Sequence, residues 1–342
     1  MTRRERVIAA LRHQKTDFVP YQADLLQETY EKMAAYTGDK NFLEKLGCHM
    51  YIGGYGTFTE LPNSRFRDDF GVVWNREKDK DIGVVENIRI PDDKIDGNGD
   101  YEYTFPAVDE TFIRRGIEGI LQYGQDRFLG YGIGFSLFER AWTLRGMENI
   151  LCDMLVNPAF VHKLLNDICE FNEKIIAIIN EYDALDCIYF GDDWGQQKGL
   201  IMGETHWREF IKPYLRRMYR AAKSKGKFVL QHSCGDIEAV YPDLIELGLD
   251  AHNTFQPEIY DVEKVKREFG DRLSFWGGIS TQRVLAHGTP QEVRDQTIYM
   301  IRVMGKESGG YIVAPTHGVP RDVPCENLEA MFDVFVNQDK YI

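Results

Sequence analysis

The chain has 342 residues, 43% of them hydrophobic and 28% charged, so a sizeable core is available and global disorder is excluded. Its formal net charge of −13 excludes a general nucleic-acid binder, which must offer clustered cations to phosphates; a local basic pocket for an anionic substrate is compatible with it. No run of about 18 apolar residues is present, so no membrane-spanning helix is expected. The opening MTRRERVIAALRHQKTDF is basic, but its apolar stretch (Val7 to Leu11) is too short for a signal peptide and reads as an amphipathic helix. Cysteines at 48, 152, 169, 187, 234 and 325 form no compact framework and are read as reduced thiols, which places the chain in the cytoplasm.

In chain order, Phe18–Ala23 (FVPYQA) is the first β-prone run. Residues of about 51–126 differ in character, being rich in Gly, Asp, Asn, Tyr and Phe. There GVVWNREKDKDIGVVENIRI sets a turn-like EKDKD between two β-prone runs, which predicts an antiparallel elaboration over one barrel mouth. Short apolar runs then alternate with helical patterns. The runs are Phe128–Phe135, Leu185–Phe190, Lys227–Gln231, Leu249–Phe255, Leu273–Trp276 and Tyr311–Ala314, as expected for strands buried on both faces. Helices are expected in PAFVHKLLNDICEFNEKIIAIINEY, in GETHWREFIKPYLRRMYRAAKSKG, over Ile237–Glu246 and over Pro290–Met304. Such alternation requires parallel strands joined by crossovers. Six units, the Phe18–Ala23 run and one strand concealed in the first third make eight. The expectation is one α/β domain over residues 1–342, a (β/α)8 TIM barrel with an insertion in its N-terminal third, in preference to an open doubly wound sheet.

Polar residues follow directly on these strands, at the rim where barrel active sites are built. Lys227–Gln231 runs into His232-Ser233-Cys234-Gly235, and Leu185–Phe190 into Gly191-Asp192-Asp193-Trp194-Gly195. Tyr311–Ala314 runs into Pro315-Thr316-His317-Gly318, and Leu273–Trp276 into Gly277-Gly278-Ile279-Ser280-Thr281-Gln282. An imidazole and a thiolate two residues apart can turn toward one ion, and with His317 they suit Zn2+ with an open fourth position. The alternative is a polar-rim histidine beside a small buried cysteine. Cys325 is a weaker ligand candidate, better read as packing at a helix start. Adjacent Asp192 and Asp193 point to opposite sides on extended backbone, so one faces the mouth; Asp192 is chosen, as acid or substrate anchor, against a turn or N-cap role. In FSLFERAW, Glu139 and Arg140 either contact polar substrate groups or form an internal salt bridge. Trp142, Trp194 and Trp276, with Gln282, are candidates for a substrate wall, core packing being the other reading of the tryptophans. Gly53-Gly54-Tyr55-Gly56 lacks the layout of a dinucleotide fingerprint.

These strand-end residues, with FERAWTLRGMENIL, GDDWGQQKGL, HSCGDI, FWGGISTQ and APTHGVPRDVPCENLEAM, resemble the uroporphyrinogen decarboxylase superfamily over almost the full chain. The resemblance implies a (β/α)8 barrel and one of two chemistries. The decarboxylase branch carries an arginine-rich clamp after the first strand, where this chain has PYQADLLQETY and no arginine. The other branch comprises cobalamin-dependent methyltransferases with a His-x-Cys zinc motif and a distant cysteine; His232 and Cys234 match the first part, and His317 stands where that cysteine would be. The resemblance therefore implies a zinc-assisted methyltransferase, nearer that branch, using His232, Cys234 and His317 as ligands and Asp192 and Glu139 to orient substrate or move a proton. It would act between a small methylated substrate (an O-methyl ether or a thiol) and a corrinoid on a separate protein, since no corrinoid-binding Asp-x-His-x-x-Gly motif is present. Alternatives are a decarboxylase of a tetrapyrrole or other carboxylated aromatic, and a non-catalytic barrel. A homodimer is left open.

Overall fold

The computed structural model describes residues 1–54, 56, 58–78, 83–305 and 307–342. Seven strands form one curled, wholly parallel sheet in sequence order: β1 (Met50–Gly54), β2 (Phe128–Ile133), β3 (Cys187–Gly191), β4 (Phe228–His232), β5 (Ala251–Phe255), β6 (Ser274–Ile279) and β7 (Tyr311–Pro315). The six strands expected after residue 127 are therefore present, several shifted one or two residues toward their C-terminal ends. Nearly continuous burial along β2, β5, β6 and β7 matches their apolar character, because a parallel sheet is covered on both faces.

Two expectations need revision. The concealed strand is β1, which lies at the start of the stretch read as irregular, and helix Glu110–Leu121 closes that stretch. Its three buried isoleucines, 113, 117 and 120, lie at helical spacing. Phe18–Ala23 is not a continuous strand. It makes an isolated bridge, Tyr21 with Val313 of β7, while on its other side the Tyr21 carbonyl accepts the N–H of His49, just before β1. Proline at position 20 removes one donor from any ladder there.

Between β1 and β2 the chain makes a four-stranded antiparallel sheet from Phe58–Leu61, Arg65–Asp68, Val73–Asn75 and Val84–Val85. The two runs flanking EKDKD do pair antiparallel, through Trp74 with Val85; most of that turn, residues 79–81, lies outside the described residues.

Side chains pointing into the ring form one apolar cluster, including Met50, Phe128, Tyr189, Leu230, Trp276 and Ile312. Val7 and Leu11 of the N-terminal helix Arg3–Leu11 join the same cluster and plug its lower end. This helix is amphipathic as expected and starts with a capping box, Thr2 with Glu5. The outer helices Pro158–Ile179 and Pro290–Met300 also match their expected positions; the latter and Lys212–Lys223 adjoin single π-helical turns, Ile301–Gly305 and Trp207–Ile211. Among the described residues, no helix is long and apolar enough to cross a membrane.

His252 sits wholly buried on β5, its ring between the Tyr241 hydroxyl (3.0 Å) and the Ser233 carbonyl (3.3 Å). Burial depresses its pKa from the ordinary 6.5 to about 3. The unfolded chain therefore binds a proton in this interval that the fold excludes, so stability is full above pH 6.5 and falls as the pH drops toward 3. Urea midpoints should fall from pH 7 to pH 5, and His252→Gln should flatten that dependence by up to about 1.4 kcal/mol per pH unit. An equal slope in the variant would place the effect elsewhere.

Candidate functional site

Two segments far apart in sequence meet at the C-terminal ends of the strands. His232 ends β4, Cys234 lies two residues on, and His317 follows β7. One ligand atom from each lies within 4.8 Å of the others. Cys234 Sγ is 3.5 Å from His232 Nε2, and the two imidazole rings are 5.7 Å apart. The 3.5 Å separation is close to the edge of a tetrahedron with bonds of about 2.0 Å to nitrogen and about 2.3 Å to sulfur.

The surroundings of His232 fit the same purpose. Its Nδ1 is 2.7 Å from Asn253 Oδ1, which also accepts the Tyr189 hydroxyl at 2.8 Å. The Asn253 amide is oriented because its Nδ2 donates to the Trp276 carbonyl at 3.2 Å. His232 is thereby held with its proton on Nδ1, leaving the Nε2 lone pair facing Cys234 and His317; a hydrogen-bonded partner on the second nitrogen is the usual support of a metal-binding imidazole.

Cys234 is placed by backbone contact. The loops after β3 and β4 cross at Gly195 and Gly235, where a Cβ on Gly195 would lie 2.5 Å from the Cys234 carbonyl oxygen. Gly235 has φ +77, and a Cβ there would lie 2.2 Å from the Gly195 carbonyl carbon. Only glycine permits this approach. The crossing lets the Asp193 carboxylate accept the Cys234 N–H at 2.7 Å and approach His232 Nε2 at 3.5 Å.

Acidic groups dominate the field. Burial, together with Asp193 and Asp192, raises the Glu139 carboxyl well above its ordinary range. Burial, Asp193 and Glu139 likewise raise the Cys234 thiol. A site that crowds carboxylates and a thiol against two imidazoles is suited to a divalent cation, whose charge would reverse these shifts. The donors fit a metal ion of the borderline-soft class.

His232, His317, Glu139 and Trp276 all line one cavity of about 720 Å³, within the range of small-molecule sites. Asp192 does not line it; its neighbour Asp193 does. The two point to opposite sides as expected, but Asp192 turns inward. It is fully buried, accepting the backbone N–H groups of Leu137, Phe138 and Glu139 at 2.8–3.1 Å and the indole N–H of Trp194 at 2.5 Å. It therefore caps helix Phe138–Arg145 from another loop. Burial raises its pKa to about 6 against the pull of those four donors.

Arg140 is also turned away. Its Nη1 pairs with Asp68 of the antiparallel sheet at 2.7 Å, and its guanidinium lies 3.9 Å over the Phe70 ring. Trp194 is wholly buried against Trp207, and Trp142 packs on Trp74 and Phe135. Gln282 is exposed and does not line the cavity. Cys325 is buried at its helix start. Of the three tryptophans, Trp276 alone borders the cavity. Sequence reasoning passed over Asp193, Tyr189 and Asn253. The polar triplet His252-Asn253-Thr254 inside a buried strand was the available signal for Asn253.

Asn253→Ala would strip His232 Nδ1 and the Tyr189 hydroxyl of their acceptor. Competition with a zinc chelator should show affinity weakened about 10- to 100-fold, and unchanged affinity would exclude the orienting role. Arg140→Gln, by contrast, would leave Asp68 buried without its cation and should cost about 3–5 kcal/mol in urea unfolding. A raised KM at unchanged stability would restore Arg140 to substrate binding.

Residues 134–337 match the family profile described as Uroporphyrinogen decarboxylase (URO-D). Among curated proteins, the chain is 25% identical to a methylated-thiol–coenzyme M methyltransferase of Methanosarcina mazei, over 96% of this chain and 88% of that protein. It is 27% identical to a uroporphyrinogen decarboxylase of Chlorobium limicola, but over 60% of this chain and 59% of that protein. A solved methyltransferase structure from Methanosarcina mazei superposes with a TM-score of 0.73 at 19% identity, covering 100% of both chains, and so supports the fold. On its profile match across strand ends β3 to β7, the chain belongs to the uroporphyrinogen decarboxylase (URO-D) family, with its full-length likeness on the methyltransferase side.

Proposed function

We propose that this protein is a zinc-assisted, corrinoid-dependent methyltransferase, moving a methyl group between a small methylated compound (an O-methyl ether or a thiol) and a corrinoid carried by a separate protein. The observation that carries the reading is the meeting of His232, Cys234 and His317 donor atoms within 4.8 Å at one end of a large cavity. Near full-length similarity to a methyltransferase supports it, as does a shorter match, 24% identical over 38% of this chain, to a methylcobamide:CoM methyltransferase of Methanosarcina barkeri. In this reading Phe18–Ala23 occupies the eighth position of a (β/α)8 barrel, paired with β7, and the whole chain is one domain.

His232, Cys234 and His317 would hold Zn2+, which when bound supplies Lewis acidity to the heteroatom that carries or receives the methyl group. Asn253 and Tyr189 keep His232 in the tautomer that presents Nε2. Glu139, on the cavity wall, stands where it would exchange a proton with the oxygen or sulfur that loses or receives the methyl group. Asp193 fixes the Cys234 backbone, and Asp192 fixes the turn that carries Glu139. Trp276 supplies a flat apolar wall against the small substrate.

A decarboxylase of a tetrapyrrole or other carboxylated aromatic is less well served. Residues 20–30 lack arginine, and the Arg127 guanidinium at the far end of the cavity is paired with Glu44. Glu139 and Asp193 face the space that several substrate carboxylates would have to enter. The test is methyl transfer between methylcobalamin or cob(I)alamin and a panel of methyl ethers and thiols, with zinc content measured alongside. His232→Ala and Cys234→Ala should abolish transfer and zinc binding together, and Glu139→Gln should lower kcat by about 10²-fold or more. Wild-type rates in both ligand variants would eliminate the reading.

A further inference from the structure

The parallel sheet has an open seam. Residues 20–22 exchange backbone hydrogen bonds with Val313 of β7, but toward β1 the pairing ends at the His49 N–H to Tyr21 carbonyl bond. Among the described residues, no backbone hydrogen bond joins positions 22–26 to β1.

The cavity passes through this gap. Met50 and Ile52 belong to the cluster inside the ring, whereas Tyr51, pointing the other way by strand alternation, stacks on Tyr123 of the outer layer at 3.7 Å. A single cavity borders all four, together with Ala23 and Leu43, and therefore crosses the plane of the sheet. At its outer end Tyr123 is 41% exposed, and at its inner end the cavity reaches His232 and His317. In the seam it is bordered by aliphatic and aromatic side chains and by Cys48, with the carboxylate of Asp24 beside them.

We propose that this seam is a lateral entrance and binding lobe for the small substrate, admitting compact uncharged organic molecules to the metal-ligand residues from the side. The inference rests on the proposed methyl-transfer reading, in which a corrinoid protein covers the barrel mouth. A molecule that must enter or leave while the mouth is covered needs a second path, and the gap between residues 22–24 and β1 provides one. Leu43, from helix Phe42–Leu46, stands at its edge and sets the width.

Two measurements on the full-length protein test this. The first uses methyl methanethiosulfonate as an uncharged probe, with modification of each cysteine followed by peptide mass spectrometry. Cys48 should react faster than the wholly buried Cys187, and Leu43→Trp should slow Cys48 at least ten-fold while leaving exposed Cys152 unchanged. Cys48 reacting no faster than Cys187, or unaffected by Leu43→Trp, would overturn the entrance. The second uses methylcobalamin as donor and 2-mercaptoethanol as acceptor. Leu43→Trp should lower kcat/KM for the thiol about ten-fold with the KM for methylcobalamin changed less than two-fold; an unchanged thiol kcat/KM would overturn the route even if Cys48 is labelled. Absence of methyl transfer in the wild type would refute the proposed function, and the labelling comparison would then decide the entrance alone.

Discussion

The site depends on one buried carboxylate that faces away from it. Asp192 satisfies three backbone N–H groups at the start of helix Phe138–Arg145, which only the fold brings to it, and the indole N–H of Trp194 in its own loop. Those groups would otherwise be orphan donors in a dry interior, at a cost of about 1–3 kcal/mol each. The bonds tie the loop after β3 to the turn after β2. Glu139 and Asp193, one on each side of this tie, are held on the cavity wall by it. The interior acid makes the wall; it does not belong to the wall.

A second constraint is steric. Gly195 and Gly235 let two rim loops approach closer than any side chain allows, which brings Asp193 to Cys234 and His232. The resulting concentration of negative charge explains the chemistry better than any single residue. A space bordered by Asp193 and Glu139, beside a thiol and two imidazoles, stabilises a bound cation and disfavours a polycarboxylate. The arginines expected of a carboxylate clamp are absent or already paired, as Arg140 is with Asp68 and Arg127 with Glu44.

The same economy of hydrogen bonding shapes access. Pro20 has no N–H to give to a ladder joining residues 18–23 to β1, and among the described residues no backbone bond joins 22–26 to β1, so the sheet is weakest on this side. A cavity running through that weakness links the rim chemistry to the outer surface without disturbing the seven paired strands.

What the sequence determined by itself was the alternation of short buried strands with amphipathic helices, and the placing of His232, Cys234 and His317 just past strand ends. Both follow from local rules: periodicity marks the elements, and chemistry-bearing residues after parallel strands share one rim. It could not resolve side-chain direction among adjacent polar residues. Asp192 and Asp193 differ by one position and so by a whole face, and which one turned inward was decided by where three backbone N–H donors lay in another segment. Arg140 and Trp194 were likewise claimed by Asp68 and by Trp207, partners that only folding brings within reach. Strand β1 was expected in the first third but could not be located, because its two terminal glycines and short apolar run carry little strand signal, and its pairing with β2 across a long antiparallel excursion is a tertiary fact.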